Sequence, residues 1–219
     1  MPLYDHLKRT IDVVAAGAGL VATAPVLAAS AAAVYATMGR PLFFRQQRPG
    51  LGGEPFELIK FRTMRLSAPD QDDIGSEASR MTPVGQFLRS TSLDELPTLI
   101  NVLRGEMSLV GPRPLLMRYL PRYSSEQARR HEVRPGVTGW AQINGRNALS
   151  WEQKFALDVW YVDHRSLSLD LKILLGTVGK VFAREGINQS GHTTMPEFMG
   201  NEASSPSAGN TSNSARRGA

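Results

Sequence analysis

The chain has 219 residues, no cysteine and a net charge of +5, which excludes a disulfide framework or thiolate metal site and suits one domain of ordinary size with appendages. A sequence pI near 9.8 implies an anionic partner: nucleic acid, phospholipid headgroups or a phosphorylated substrate. Composition does not choose among them, and the lack of cysteine agrees with a cytoplasmic location.

Lys8 and Arg9 precede a stretch from Val13 to Met38 that holds no charged residue. A bilayer span needs roughly 20 apolar residues, and soluble core helices rarely run so long. Pro25 falls near the middle, where it removes an intrahelical hydrogen bond and clashes with the preceding turn. Each half, about 12 residues, rises about 18 Å, short of a hydrocarbon core of roughly 30 Å. Two arms that enter and leave by one face make a re-entrant helix. Lys8 and Arg9 before it and Arg40 and Arg45 after it put basic residues, which prefer the cytoplasmic side, at both ends. A straight span would have to export Lys8 and Arg9, and a kinked full span is the second reading. A cleaved signal peptide would carry an overlong apolar centre with Asp12 at its start.

Residues 42–48 and 54–62 alternate apolar and polar positions around Pro49, Gly50, Gly52 and Gly53, the pattern of a β-hairpin. Lys60 and Arg62 then share one strand face, and Ile59 and Phe61 the other. Residues 66–80 carry Asp70, Asp72 and Asp73 without the Gly and terminal Glu of a calcium loop, and read as a solvated loop.

Residues 89–103, RSTSLDELPTLINVL, hold the adjacent carboxylates Asp94 and Glu95. Leu96, Leu99, Ile100 and Leu103 recur at the spacing of a helix with one buried face. Pro97 is tolerated only in a first turn, so Asp94 is expected as N-cap and Glu95 as the first helical residue. Exposed amides and the helix dipole would keep Asp94 ionised. Ser92 with Glu95 also spells a capping box. Locally, capping and chemistry both account for the pair.

In residues 108–114, SLVGPRP, two prolines hold Arg113 in stiff extended backbone, where its guanidinium can grip a phosphate bidentately. Residues 115–132 suggest a helix whose basic face, Arg118, Arg122, Arg129 and Arg130, meets solvent or headgroups. Residues 134–147 join two arginines, Gly/Pro turns and Trp140, as a ligand loop or a packed turn would. Trp151 to Arg165, with Phe155, Trp160 and Tyr161, and Leu167 to Phe182 read as amphipathic helices, either interfacial or core-packed. Residues 201–219, rich in Ser, Asn, Ala and Gly, are expected to be a disordered tail.

From about Lys8 to Gly200 the sequence resembles the bacterial sugar transferases, the small monotopic phosphoglycosyl transferases of the PglC-like kind. The resemblance rests on four ordered strings: KFRTM at 60–64, SLDELP at 92–97, SLVGPRP at 108–114 and RPGVTGWAQINGR at 134–146. It implies an α+β, predominantly helical fold, with a re-entrant membrane helix at 1–40, a catalytic domain at 41–200 with a β-hairpin and interfacial helices, and the tail at 201–219. This would be the minimal catalytic form, without a large N-terminal bundle, at the cytoplasmic face of a bacterial inner membrane. The implied reaction moves a sugar phosphate from a UDP-sugar to polyprenyl (undecaprenyl) phosphate and releases UMP, an early membrane step of glycoconjugate synthesis. Carried over position by position, Asp94 is the nucleophile and Glu95 assists the second step by deprotonating or positioning the acceptor. Mg²⁺ is the implied cofactor, with Asp94 its protein ligand. Lys60, Arg62, Arg113, Arg134 and Arg146 are the implied substrate-binding residues. The family's polar-proline break reads here as Ala24 and Pro25 after Thr23, which leaves Pro25 as the main cause of the kink. The string GHTTMPEFMG at 191–200 resembles enzymes acting on UDP-N,N′-diacetylbacillosamine or similar N-acetylated amino sugars. Membrane phospholipid is an implied partner, and a homo-oligomer stays open.

Two rival readings are weaker. A membrane-tethered nucleic-acid or regulatory binding module explains the basic charge, but lacks a recognition-helix or zinc pattern and leaves the central carboxylates unexplained. A soluble phosphohydrolase would need the first 38 residues to be a removed signal.

Overall fold

The computed structural model describes residues 2–66, 80–145, 149–183 and 197–200. In chain order it forms α1 (Pro2–Ala22), α2 (Ala24–Met38), β1 (Phe43–Pro49), β2 (Pro55–Phe61), α3 (Pro83–Ser90), α4 (Thr98–Arg104), β3 (Ser108–Val110), α5 (Ser125–Ala128), β4 (Gly136–Thr138), α6 (Trp140–Ile143), α7 (Trp151–His164) and α8 (Leu167–Ala183). The architecture is mostly helical with a small β-hairpin.

The break between α1 and α2 has two causes. Pro25 brings no amide hydrogen to the ladder. The Thr23 amide and hydroxyl both donate to the Gly19 carbonyl, at 2.9 and 2.7 Å, and a hydroxyl bonded back one turn bends a helix. The hydroxyl therefore shares the work that the sequence assigned mainly to Pro25. The two helices are bent by 62°. Among the described residues no single helix is long and apolar enough to cross a membrane, whereas the bent pair meets that test together on length and composition.

β1 and β2 pair antiparallel from Phe43 opposite Phe61 to Pro49 opposite Pro55. The turn between them needs glycine, because Gly52 and Gly53 sit at φ 66° and 81°. Phe56 and Leu58 of β2 pack with Ala16, Val102 and Met107, and Phe61 packs with Val34 and Leu88. The hairpin is thus held between both N-terminal helices and the helices that follow. On the β2 edge Asn101 of α4, fully buried, acts as a neighbouring strand would. Its side-chain oxygen accepts the Ile59 amide at 3.1 Å and its nitrogen donates to the Glu57 carbonyl at 2.7 Å.

α1 is bonded to the rest of the domain along its first half. Tyr4 and Lys8 donate to Asp170 Oδ2 at 3.0 and 2.7 Å, Arg9 donates to the carbonyls of Val102 and Leu103 at 2.6 and 2.9 Å, and Asp12 accepts the Leu109 amide at 3.0 Å. This gives the carboxylate of Asp12, at the start of the apolar stretch, its partner.

β3 and β4 form a two-stranded parallel pair, Ser108 opposite Gly136 and Val110 opposite Thr138, which the sequence did not suggest. Residues 115–132 do not make the single helix expected. They form 3-10 turns at Met117–Arg122 and Arg129–Glu132 around the one-turn α5, with Pro121 inside the first. α7 and α8 appear as expected, α7 starting at a capping box of Ser150 and Gln153. Asp70, Asp72, Asp73, Arg146 and the 201–219 tail lie outside the described residues.

Candidate active site

The carboxylate pair sits in a turn rather than at a helix mouth. α3 ends at Ser90, Ser92 adopts the left-handed conformation at φ 57°, residues Leu93–Glu95 form a 3-10 turn, and α4 starts at Thr98 with Pro97 as its N-cap. The expected Asp94 N-cap and Ser92–Glu95 capping box are not formed. A non-glycine residue in this conformation costs on the order of 1–3 kcal/mol and tends to mark functional turns. The Glu95 side chain is drawn elsewhere by charge: its Oε1 accepts Lys60 Nζ at 2.6 Å and Arg113 Nη2 at 2.8 Å. Such ionic hydrogen bonds outweigh a neutral cap bond.

The neighbouring carboxyls are pushed apart electrostatically. Burial and the Glu95 charge raise Asp94 to about 6, against the opposing pull of Lys60, Arg89 and Arg113. Burial also pushes Glu95 upward, but Arg113 and Lys60 outweigh it and hold Glu95 far below the usual carboxylate range. Asp94 is 9% exposed, and no described residue donates a hydrogen bond to its carboxylate. Adjacent acids with opposite shifts are the usual sign of divided chemical roles.

Lys60 is delivered by β2 and Arg113 by the stiff segment after β3. Arg89, from the last turn of α3, also faces Asp94, its Nε donating to Thr63 Oγ1 at 3.0 Å. Sequence reasoning missed it, although it opens the string that holds the carboxylates. Two candidates are placed elsewhere. Arg62 lies just past β2 and donates to the carbonyls of Met38, Gly39 and Arg40, so it caps the end of α2 instead of joining Lys60. Arg134 Nε donates to the Gly105 carbonyl at 2.8 Å, beyond the far end of α4 and roughly 10 Å along its axis from the carboxylates. Two carboxylates ringed by Lys60, Arg89 and Arg113 set fixed positive charge where phosphoryl oxygens can be held.

The bacterial sugar transferase profile matches residues 3–184. The chain belongs to that family. This sugar transferase is 55% identical over 194 residues to an uncharacterized sugar transferase, EpsL, of Bacillus subtilis, covering 89% of this chain and 96% of that one. It is 45% identical over 184 residues to a UDP-glucose:undecaprenyl-phosphate glucose-1-phosphate transferase of Caulobacter vibrioides, covering 80% of this chain and 69% of that one. A protein of the same description from Escherichia coli is 40% identical over 205 residues, covering 84% of this chain and 44% of that one. The matched region contains Lys60, Arg89, Asp94, Glu95 and Arg113.

Proposed function

We propose that this sugar transferase moves a sugar-1-phosphate from a UDP-sugar to polyprenyl phosphate, releasing UMP, by way of a covalent intermediate on Asp94. The observation that carries this reading is the Asp94–Glu95 turn, in which one carboxylate is bonded to two cations and the other accepts no hydrogen bond from a described residue. An Asp94 oxygen attacks the sugar-bearing phosphorus, and the bond from that phosphorus to the bridging oxygen breaks, with UMP leaving on the electron pair. An oxygen of polyprenyl phosphate then attacks the same phosphorus, breaks the aspartyl–phosphorus bond and restores the carboxylate. Splitting the transfer into two displacements lets one pocket serve two large substrates in turn. Lys60, Arg89 and Arg113 hold the phosphoryl oxygens where charge accumulates. Held so far down, Glu95 is a poor base while Lys60 and Arg113 stay on it. Phosphate oxygens that take those cations free it to rise and to accept or orient the acceptor's proton.

Mg²⁺ typically keeps several waters and binds through one or two carboxylates plus substrate phosphates. Asp94 fits such a ligand, since its carboxylate accepts no hydrogen bond from a described residue and lies beside the expected diphosphate position. Among the described residues no cluster of three or more acidic or histidine ligands forms, so the substrate would complete the set. Once bound, the ion neutralises repulsion between carboxylate and diphosphate and eases departure of UMP.

We further read α1 and α2 as a re-entrant pair at the cytoplasmic face of the inner membrane, with residues 41–200 as the catalytic domain. Supporting this are the bend and exposed apolar rows on α1 (Leu3, Leu7, Val14) and α8 (Leu171, Leu175, Val178), which suit an interfacial surface. For the donor we propose an N-acetylated amino sugar such as UDP-N,N′-diacetylbacillosamine, on the string at 191–200. The named relatives favour UDP-glucose as the second reading.

Incubation with Mg²⁺ and a panel of UDP-sugars tests the proposal. UMP release and a phosphosugar adduct on Asp94, seen by mass spectrometry, are expected with the true donor. Asp94→Asn should lose both, and full turnover by that variant would exclude the nucleophile.

A further inference from the structure

Arg130 reads in the sequence as part of an outward basic face. The structure buries it to 2% exposure, paired at 2.7 Å with Asp158 of α7, itself 4% exposed. A buried ion pair contributes little net stability compared with well-packed apolar residues of the same size, so stability alone does not account for it. The remaining contacts of Arg130 point to a further role. The Nη2 that donates to Asp158 Oδ2 also donates to the main-chain carbonyl of Arg113 at 2.7 Å, while Nη1 donates to the Tyr123 hydroxyl at 3.1 Å. The guanidinium is further fixed against the rings of Tyr123 and Phe155, 5.7 and 5.5 Å from their centroids.

Arg113 sits between Pro112 and Pro114. Both prolines have fixed φ, and a residue before proline is restricted as well, so the segment is stiff and the bonds its carbonyls accept set how it sits on the fold. Proline at 114 supplies no amide that could tie the segment down. The carbonyls on either side, of Pro112 and Pro114, accept the Gly136 amide at 2.9 Å and Arg48 Nη1 at 3.4 Å, and Arg130 holds the carbonyl of residue 113 between them. Turning that peptide would swing the Arg113 side chain away from Glu95 Oε1, which it reaches at 2.8 Å.

We propose that the buried Arg130–Asp158 pair is a positioning device for Arg113: Asp158 aims Arg130, Arg130 fixes the Arg113 carbonyl, and the Arg113 guanidinium is thereby presented to the transferring phosphate. Neither Arg130 nor Asp158 touches substrate. The inference rests on the proposed role of Arg113, and the test separates the two.

The experiment replaces the pair together, Arg130→Met with Asp158→Leu, which leaves no unpaired buried charge. It is accompanied by Arg130→Lys, which keeps a charge for Asp158 but loses the planar fork. Each is made in the wild-type and in an Arg113→Met background, with thermal unfolding and Mg²⁺-dependent UMP release measured on all of them. A misplacement of about 1 Å can cost on the order of 100-fold in rate, and a loss of that order is expected from the double replacement with the melting temperature kept. Arg130→Lys should lose less. In the Arg113→Met background the same replacements should cost less than about twofold, because groups acting through one residue are not additive. Equal losses in both backgrounds, full activity of the double replacement, or failure of both the double replacement and Arg130→Lys to fold would each overturn the positioning role. If Arg113→Met alone left UMP release unchanged, the phosphate-binding role of Arg113 would fail instead.

Discussion

At the scale of single residues, the electrostatic split between Asp94 and Glu95 predicts opposite demands on activity and stability. Burial and the Glu95 charge lift Asp94 from an ordinary 3.8 to about 6. In the unfolded chain the proton is lost at lower pH than in the folded one, so the folded state binds more protons between those values. Stability therefore falls as pH rises from about 4 to about 6 and stays reduced above that. Two pKa units amount to an upper bound of about 3 kcal/mol. Asp94→Asn removes an ionised carboxylate from this site, so it should raise the melting temperature at pH 7.5 and give little or no gain at pH 4.5. Scans of both proteins at the two pH values check this, and equal shifts at both would refute the burial cost. Activity should run the other way if Asp94 is the nucleophile proposed above, with the first step of wild-type turnover falling as pH drops through about 6 because a protonated carboxyl is a poor nucleophile.

Among the elements, β2, which carries Lys60, and α4, which follows the turn carrying Glu95, are joined in part by Asn101. Besides its two bonds to the β2 backbone, its side-chain nitrogen donates to Glu106 Oε2 at 2.6 Å. Asn101→Asp keeps the shape, loses both N–H donors and sets a carboxylate against the Glu57 carbonyl and the Glu106 carboxylate. A loss of roughly 2–4 kcal/mol in unfolding free energy is expected, since buried polar groups left unpaired cost about 1–3 kcal/mol each. Chemical denaturation measures it, and an unchanged midpoint would show that the edge needs no such partner. This contact also shows why the sequence was only partly legible. The β-hairpin, the break near Pro25 and the helices α7 and α8 could be read because local alternation, Gly/Pro placement and helical spacing agree with the fold there. Of the site, Lys60, Asp94, Glu95 and Arg113 could be read from their strings. The pairing of β3 with β4 and the burial of Arg130 depend on partners distant in the chain, and no local pattern announces them. Arg62 and Arg134 were drawn to unsatisfied carbonyls near the ends of α2 and α4, a demand that only the assembled fold creates.

For the whole molecule, topology follows from where the two ends of the α1–α2 pair are fastened. The start of α1 is tied to the domain through Tyr4 and Lys8 on Asp170, Arg9 on the Val102 and Leu103 carbonyls, and Asp12 on the Leu109 amide. The end of α2 is tied to the same domain through Arg62 on the carbonyls of residues 38–40. A full span would have to carry the first of these attachments across the bilayer, leaving the largely buried Asp170 carboxylate without its lysine. Breaking such a pair from one side costs about 3–5 kcal/mol when it is fully buried. Moving Lys8 and Arg9 outward further opposes the cytoplasmic preference of basic residues. Single cysteines at Leu3 and Leu42, in a chain that has none of its own, should therefore both react with a membrane-impermeant maleimide only after cells are opened. Labelling of the residue-3 cysteine in intact cells would establish a full span and would mean that the α1 attachments are absent in the membrane. Asp170→Asn combined with Arg9→Met loosens those attachments while keeping the bend at Thr23 and Pro25. If the fastening holds the N-terminus in place, this variant alone should begin to label from outside. If the bend suffices by itself, it should label like the parent.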